Sequence, residues 1–134
     1  MSIESDLAYV AGYFDGEGTV CFSRVQRKYP SLRICITSGD VTSLLFVQKV
    51  LGGSIRDPGR LGKNRKMWRW SLEGKKAKAA LERLLPYLKA KLYPAVVVQR
   101  LQYWQQGWSI PEWQRKAREE MAAEVKAFNH RKTI

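Results

Sequence analysis

Cysteine is scarce in this chain: two residues, Cys21 and Cys35, in a length of 134. Small exported domains that depend on disulfides are far richer, so a disulfide scaffold is excluded. Long apolar runs are missing too. Stretches such as Ala95-Val96-Val97-Val98 fall well short of the roughly 18 residues needed to span a bilayer. Glu4 and Asp6 stand near the start with no early basic residue, so no secretory signal is expected and an intracellular location is. The one histidine, His130, lies near the other end and is not expected to be catalytic. Negative charge is short: 12 Asp and Glu stand against 24 Lys and Arg, leaving a net charge of +12. The hydrophobic fraction is 45%, too high for a disordered tail. At about 150 residues per domain the length suggests a single domain over 1–134.

A charge of this size in a small domain opposes compaction unless a partner uses it. The excess is uneven: residues 1–60 carry a net of +1 and residues 61–134 a net of +11. A membrane-surface role would concentrate the charge on one amphipathic helix. Here basic residues fall on apparent strands and turns as well, which points to nucleic acid. No membrane partner and no small-molecule substrate are expected.

The apolar spacing predicts a helix over residues 5–15, capped by Ser5 or Asp6 and stopped by Gly16 and Gly18. From Thr19 the period changes to two, and a second alternating run follows at Leu32, Ile34 and Ile36, making an antiparallel hairpin. Ser38-Gly39-Asp40 starts a helix that Gly52-Gly53 ends. Short strands are expected at Ser54 to Asp57 and Met67 to Leu72, joined by a basic turn. Further helices are expected from Gly74 to near Pro86, over 92–106, and from Pro111 to about Phe128. The result is an α+β (mixed α/β) fold: a four-stranded antiparallel sheet with helices on one face and extra C-terminal helices. The core spans about 5–105 and the helical extension about 108–128.

In the first helix, Ala8, Gly12 and Gly16 are spaced by four and share a face. Glycine costs about 1 kcal/mol in a helix relative to alanine, a penalty that close approach of a second helix would explain. Glu17 follows at the helix C-terminus, where a carboxylate is disfavoured by the macrodipole and a divalent cation would offset it. Two such helices face to face would bring two Glu17 side chains together. An acidic turn formed by Asp15, Gly16, Glu17 and Gly18 is the alternative on spacing alone.

The segment Val10-Ala11-Gly12-Tyr13-Phe14-Asp15-Gly16-Glu17-Gly18 resembles the motif of the LAGLIDADG homing endonucleases, with Val for the first Leu, Gly for the internal Ala and Glu for the second Asp. The element order resembles that family's αββαββα unit. Leu85-Pro86-Tyr87-Leu88-Lys89-Ala90-Lys91 is similar to its stretch bearing a basic residue near the active site. The resemblance covers about residues 5–105. A single motif implies a homodimer, with Ala8, Ala11, Gly12, Asp15 and Gly16 at the interface. The implied metal ligands are Glu17 and the backbone carbonyl of Gly16 from each subunit. Mg²⁺ is the implied ion, with Mn²⁺ substituting and Ca²⁺ binding without supporting cleavage. The implied reaction is a site-specific double-strand cut in a long pseudo-palindromic DNA target, leaving 3′ overhangs, as in intron-encoded enzymes. Lys91 would lie beside the scissile phosphate. At the end of the second strand, where the family often has Gln, Ser38 can order a water while Asp40 can cap a helix.

The resemblance also lays the sheet in the major groove of double-stranded DNA. Candidate contacts on the polar sheet face are Cys21, Ser23, Arg33, Cys35, Thr37, Arg56, Met67, Arg69 and Ser71, with Arg24, Arg27 and Lys28 at the hairpin tip. Arg60, Lys63, Arg65 and Lys66 in the basic turn suit phosphates. Phe22, Trp68 and Trp70 fall on the other parity and belong to the core, which argues against a generic RNA-binding sheet with stacking aromatics. Cys21 and Cys35 sit on neighbouring strands; a cross-strand disulfide is possible there, with free thiols the default. The alternative function is an intron RNA maturase or DNA-binding regulator on the same scaffold without cleavage.

Overall fold

Alternation at period two builds the sheet. In the computed structural model, residues 2–23, 30–57, 60–61, 65–101 and 110–131 are described, with only the backbone of 60, 61, 65 and 131. Helix α1 (Ile3–Glu17) leads directly into β1 (Gly18–Ser23), which pairs antiparallel with β2 (Ser31–Ser38). Helix α2 (Val41–Leu51) and strand β3 (Ser54–Arg56) follow. Short strands β4 (Arg60–Leu61) and β5 (Arg65–Lys66) pair as a separate ribbon within the basic turn. Strand β6 (Trp68–Glu73) returns through the sheet, giving the order β1-β2-β6-β3. Helix α3 (Gly74–Leu84), a 3₁₀ turn at Leu85–Tyr87, α4 (Leu92–Gln99) and α5 (Glu112–Arg131) complete the chain.

One face of the sheet is apolar. Val20, Leu32, Ile34, Ile36 and Trp70 are fully buried there, in a cluster with Val10 and Phe14 of α1, Leu44 and Val47 of α2, and Leu81 and Leu84 of α3. The cluster extends through Val97 and Val98 of α4 to Met121 and Val125 of α5. The Trp70 indole N–H donates to the Gly52 carbonyl at 2.8 Å, which satisfies the one polar atom of this buried ring. Helix α5 is tied back in two places. The Glu124 carboxylate takes Arg100 at 2.6 Å and the Tyr93 hydroxyl at 3.1 Å, and the Asn129 amide donates to the Val20 carbonyl on edge strand β1 at 2.9 Å.

Four boundaries differ from the sequence expectation. The N-cap is Ser2, whose hydroxyl accepts the Ser5 N–H at 3.0 Å, so Ser5 and Asp6 lie inside the first turn. Gly16 does not stop the helix, which includes it and runs to Glu17. Gly18 caps it with an N–H to the Phe14 carbonyl, and a Cβ at Gly18 would run into the Phe14 ring. Met67 falls between β5 and β6 rather than within the strand, with its sulfur beside Gly39. The helix expected over 92–106 is α4 as far as Gln99; 102–109 lie outside the described residues.

Gly52 and Gly53 end α2 as expected, both at positive φ. At Gly53, with φ +98°, a Cβ would come within 2.7 Å of the Ser71 carbonyl oxygen. Gly53→Ala therefore combines backbone strain with a clash against sheet backbone. It should lower the unfolding free energy by about 1–3 kcal/mol, read as a reduced urea midpoint at constant slope. An unchanged midpoint would contradict the close approach.

Candidate nucleic-acid interface and acidic site

The C-terminal end of α1 gathers the acidic motif and a lysine from far along the chain. The last turn of α1 holds no basic residue, so the Glu17 carboxylate adds to the negative end of the helix dipole. Relief comes from Lys91, whose Nζ donates to the Asp15 backbone carbonyl at 2.8 Å while the side chain is almost fully buried. The Asp15 carboxylate reciprocates: Oδ2 accepts the Lys89 N–H at 2.7 Å and Oδ1 the Lys91 N–H at 2.9 Å. Both oxygens of Asp15 are thus committed to the backbone that precedes α4. Glu17, two residues on, is exposed. The two acidic residues of the motif divide into a clamp and an outward carboxylate.

The small-residue face of α1 is open. Ala8, Gly12 and Gly16 are exposed, and no atom lies within 4 Å of a Cβ built on Gly12 or Gly16. Ala11, grouped with them on the sequence, is fully buried in the core, because i and i+3 positions diverge enough here to turn it inward. Asp15 is half-buried and held within the chain.

Ser38 lies at the same end of the sheet. Gly18 pairs with Ile36, so Thr37 and Ser38 run on past the start of β1 towards the end of α1. The Ser38 hydroxyl oxygen accepts the Asp40 N–H at 3.0 Å. Asp40 caps α2, accepting from the Thr42 N–H at 3.1 Å, the Ser43 N–H at 3.4 Å and the Ser43 hydroxyl at 2.8 Å. Those Ser43 and Thr42 donors hold its carboxyl below the ordinary range. Asp40 thus fills the helix-capping role expected of it.

The outer face of the sheet carries the polar set in register. Cys21 lies opposite Arg33 and Arg33 opposite Glu73; Thr19, Cys35, Ser71 and Ser54 form a second row; Thr37, Arg69 and Arg56 form a third. Ser23 sits at the β1 end, opposite Ser31. Arg33 pairs with Glu73 at 2.9 Å, and the Arg69 Nε donates to the Thr37 hydroxyl at 3.3 Å. Lys66 lies 3.1 Å from the Asp57 carboxylate and over the Trp68 ring. Arg24, Arg27, Lys28 and Lys63 lie outside the described residues, as do the side chains of Arg60 and Arg65. Thr19, Ser54 and Glu73 were not singled out on the sequence, although strand parity places all three on this face.

Cys21 and Cys35 are both free and half-buried. They stand one diagonal step apart on the outer face, Cys21 opposite Arg33 and Cys35 opposite Thr19. The neighbouring Cys21 thiol, with Arg69 and Arg33 nearby, pulls Cys35 down to about 7 against the cost of burial, while the neighbouring Cys35 and burial push Cys21 up. Among the described residues no group of three or more His, Cys, Asp or Glu side chains is placed to hold a metal ion within one chain, and no helix is long and apolar enough to cross a membrane.

No family model matches the chain, and neither does any curated protein. Solved structures do. The homing endonuclease I-CvuI in complex with its target gives a TM-score of 0.70 at 22% identity, over 94% of this chain and 83% of that one. I-CvuI in complex with the I-CreI target gives 0.62 at 26% identity, over 73% and 66%. The archaeal intron-encoded homing endonuclease I-Vdi141I complexed with DNA gives 0.64 at 14% identity, over 95% and 86%. The chain has the LAGLIDADG homing-endonuclease fold. Within that fold the motif helix is α1, and the chain carries one motif, ending at Gly18.

Two outcomes follow from this geometry. Asp15→Asn keeps one acceptor and loses the other, leaving a backbone N–H of the α4 approach unsatisfied. It should cost about 1–3 kcal/mol in chemical denaturation, whereas Asp15 as a mere surface carboxylate would leave stability unchanged. For the thiol pair, the thiolate forms as pH rises through about 7. Alkylation of the native protein should show one fast thiol whose rate falls roughly tenfold per pH unit below that point. Two equally slow thiols would contradict the lowered Cys35 pKa.

Proposed function

We propose that the protein is a site-specific DNA endonuclease that acts as a homodimer and depends on a divalent cation. The observation that carries this reading is the division of the motif: Asp15 is used up as a clamp, and Glu17 is left exposed beside the open Gly12 and Gly16 face. A helix with an exposed small-residue stripe suits close packing against a second copy of itself. Packing of that kind brings two Glu17 carboxylates and two Gly16 carbonyls to one axis. The donor set, all oxygen and two carboxylates, fits Mg²⁺. The I-CvuI complexes were solved in the presence of Mg or Ca, which supports use of a divalent ion. When bound, such an ion supplies an activated water and stabilises the leaving 3′ oxygen.

The chain's own residues supply the rest. Glu17 and the Gly16 carbonyl hold the ion. Lys91, anchored by its ammonium on the Asp15 carbonyl, puts fixed positive charge at the acidic end, where it counters charge building on phosphate oxygens. Ser38 accepts from Asp40 and keeps its hydroxyl proton to orient a water. The outer sheet face, with Cys21, Ser23, Arg33, Cys35, Thr37, Arg56, Arg69 and Ser71, would lie in the major groove. Lys66 and the basic turn residues Arg60, Lys63 and Arg65 would contact phosphate, and Met67 would stand at the edge of that face. Arg24, Arg27 and Lys28, between β1 and β2 in the sequence, would add further DNA contacts. A two-fold protein reads a pseudo-palindrome, and the symmetric pair of cuts would leave 3′ overhangs. Duplex DNA as substrate implies action inside the cell.

The test is cleavage of a randomised duplex library by wild type and Glu17→Gln, in Mg²⁺ and then in EDTA. Discrete double-strand cuts by wild type, lost in EDTA and reduced at least about a hundredfold in the variant, are expected, with binding retained by both. Selective binding without cuts by either protein would move the assignment to a maturase or regulator. Binding should also weaken steeply with salt, through counterion release. The dimer has its own test. Gly12→Leu meets empty space within one chain and improves helix propensity by nearly 1 kcal/mol, yet it should convert the dimer to monomer in sedimentation. A variant that stays dimeric would place the interface elsewhere.

A further inference from the structure

One arginine of the outer sheet face is held by a carboxylate. Arg33 on β2 stands opposite Glu73 on β6, and its Nη2 donates to Glu73 Oε1 at 2.9 Å. Glu73 is the one acidic residue among the described strand positions of the sheet. The two side chains are 31% and 43% exposed, so a ligand can reach the pair. The other neighbours of Arg33 on this face are small: Cys21 opposite on β1, and Ser31 and Cys35 two residues away along β2. The ion pair rests on a single bond. Arg33 Nε is buried with no partner among the described residues, so Glu73 does not close on the guanidinium in the two-bond fork that arginine and carboxylate can form. One Nη2 hydrogen is taken. The other, with those of Nη1, is left for a ligand.

We propose that Glu73 is a positioning residue that aims Arg33 at a guanine in the major groove, so that the pair sets specificity at one base pair of each half-site. The inference rests on the sheet lying in the groove, as proposed above. Charge separates a base contact from a phosphate contact. A carboxylate bonded to the guanidinium offsets its charge, which weakens its pull on phosphate and leaves its hydrogens for a neutral base edge. A phosphate at Arg33 would also lie beside the carboxylate, so the wrong ligand is repelled. Arg69 is built differently. Its Nε donates to the Thr37 hydroxyl at 3.3 Å, and it faces Arg56 across the strands. Like charges placed opposite each other are destabilising, so that pair suits an anion. The donor pattern then selects the base. A fork of N–H groups needs two acceptors side by side, and in the major groove guanine presents them as O6 and N7. Adenine pairs one acceptor with a donor, cytosine offers a donor, and thymine offers one acceptor beside a methyl group. Holding the arginine in place before DNA arrives also reduces the rotamer freedom it loses on binding.

The experiment selects sites from a randomised duplex library by binding alone, in EDTA, with wild type, Arg33→Ala and Glu73→Gln, and then measures affinity over a salt series. Wild type should prefer guanine at one position of each half-site by roughly tenfold or more. Arg33→Ala should flatten that position and leave the others as they were, which also serves as the control for folding. Glu73→Gln keeps the shape and loses the charge. It should bind random duplex several-fold more tightly, steepen the salt dependence by about one phosphate contact and lower the guanine preference at the same position. If Arg33→Ala weakens every sequence alike and keeps the profile, Arg33 is a phosphate contact and the proposal is overturned. A Glu73→Gln profile and salt slope equal to wild type would overturn the positioning role. The two readings fail separately. Selective binding by a protein that makes no cut in Mg²⁺ would count against the endonuclease and leave the guanine contact standing. Discrete cuts in Mg²⁺ with an unchanged base profile in both variants would overturn the guanine contact and leave the endonuclease standing.

Discussion

The hydrogen bonds between Asp15 and the segment before α4 are the constraint on which the acidic site depends. They run in both directions, from the Lys89 and Lys91 backbone to the Asp15 carboxylate and from the Lys91 ammonium to the Asp15 carbonyl. A helix ends with unsatisfied carbonyls and partial negative charge. Here a cation from more than seventy residues away settles part of that charge, so an outward carboxylate at Glu17 can be kept. Charge-assisted bonds to a nearly buried lysine are strong and directional. They also fix how the 3₁₀ turn and α4 stand against α1.

The sheet separates two tasks by parity. Its inner face takes the large apolar side chains, with Trp70 anchored by its N–H to the Gly52 carbonyl. Its outer face holds arginine, serine, threonine and two thiols in rows set by the register. Because a one-residue slip would reverse every side chain, burial of Ile34, Ile36 and Trp70 is what holds Arg33, Cys35 and Arg69 outward. The stability of the core and the composition of the outer face are therefore the same specification. Glu73 tempers that face: it occupies Arg33, so any anion reaching this arginine must compete with an existing ion pair.

Much of this was legible residue by residue. Alternation at Leu32, Ile34 and Ile36 marked β2 and its two faces, Gly52-Gly53 marked the end of α2, and Asp40 read as a cap. The paired ribbon inside the basic turn was not legible, since Arg60, Leu61, Arg65 and Lys66 show no period that distinguishes strand from turn. Met67 matched the outer parity of the strand but lies just before it. Ala11 matched the small-residue set of α1 but faces the core, a matter of about one helical step that spacing by three or four does not resolve.

By itself the sequence determined the element order, the parity of each strand and the positions of the acidic motif and the thiols, because these follow from local periodicity, glycine placement and residue type. It could not divide the labour between Asp15 and Glu17, which look equivalent in a linear motif. That division was decided by tertiary contact: only when Lys89 and Lys91 are folded against α1 does one carboxylate acquire backbone donors while the other stays exposed. The placing of Cys21 near Cys35 on one face likewise needs the register of β1 on β2, since the two are fourteen positions apart in the chain.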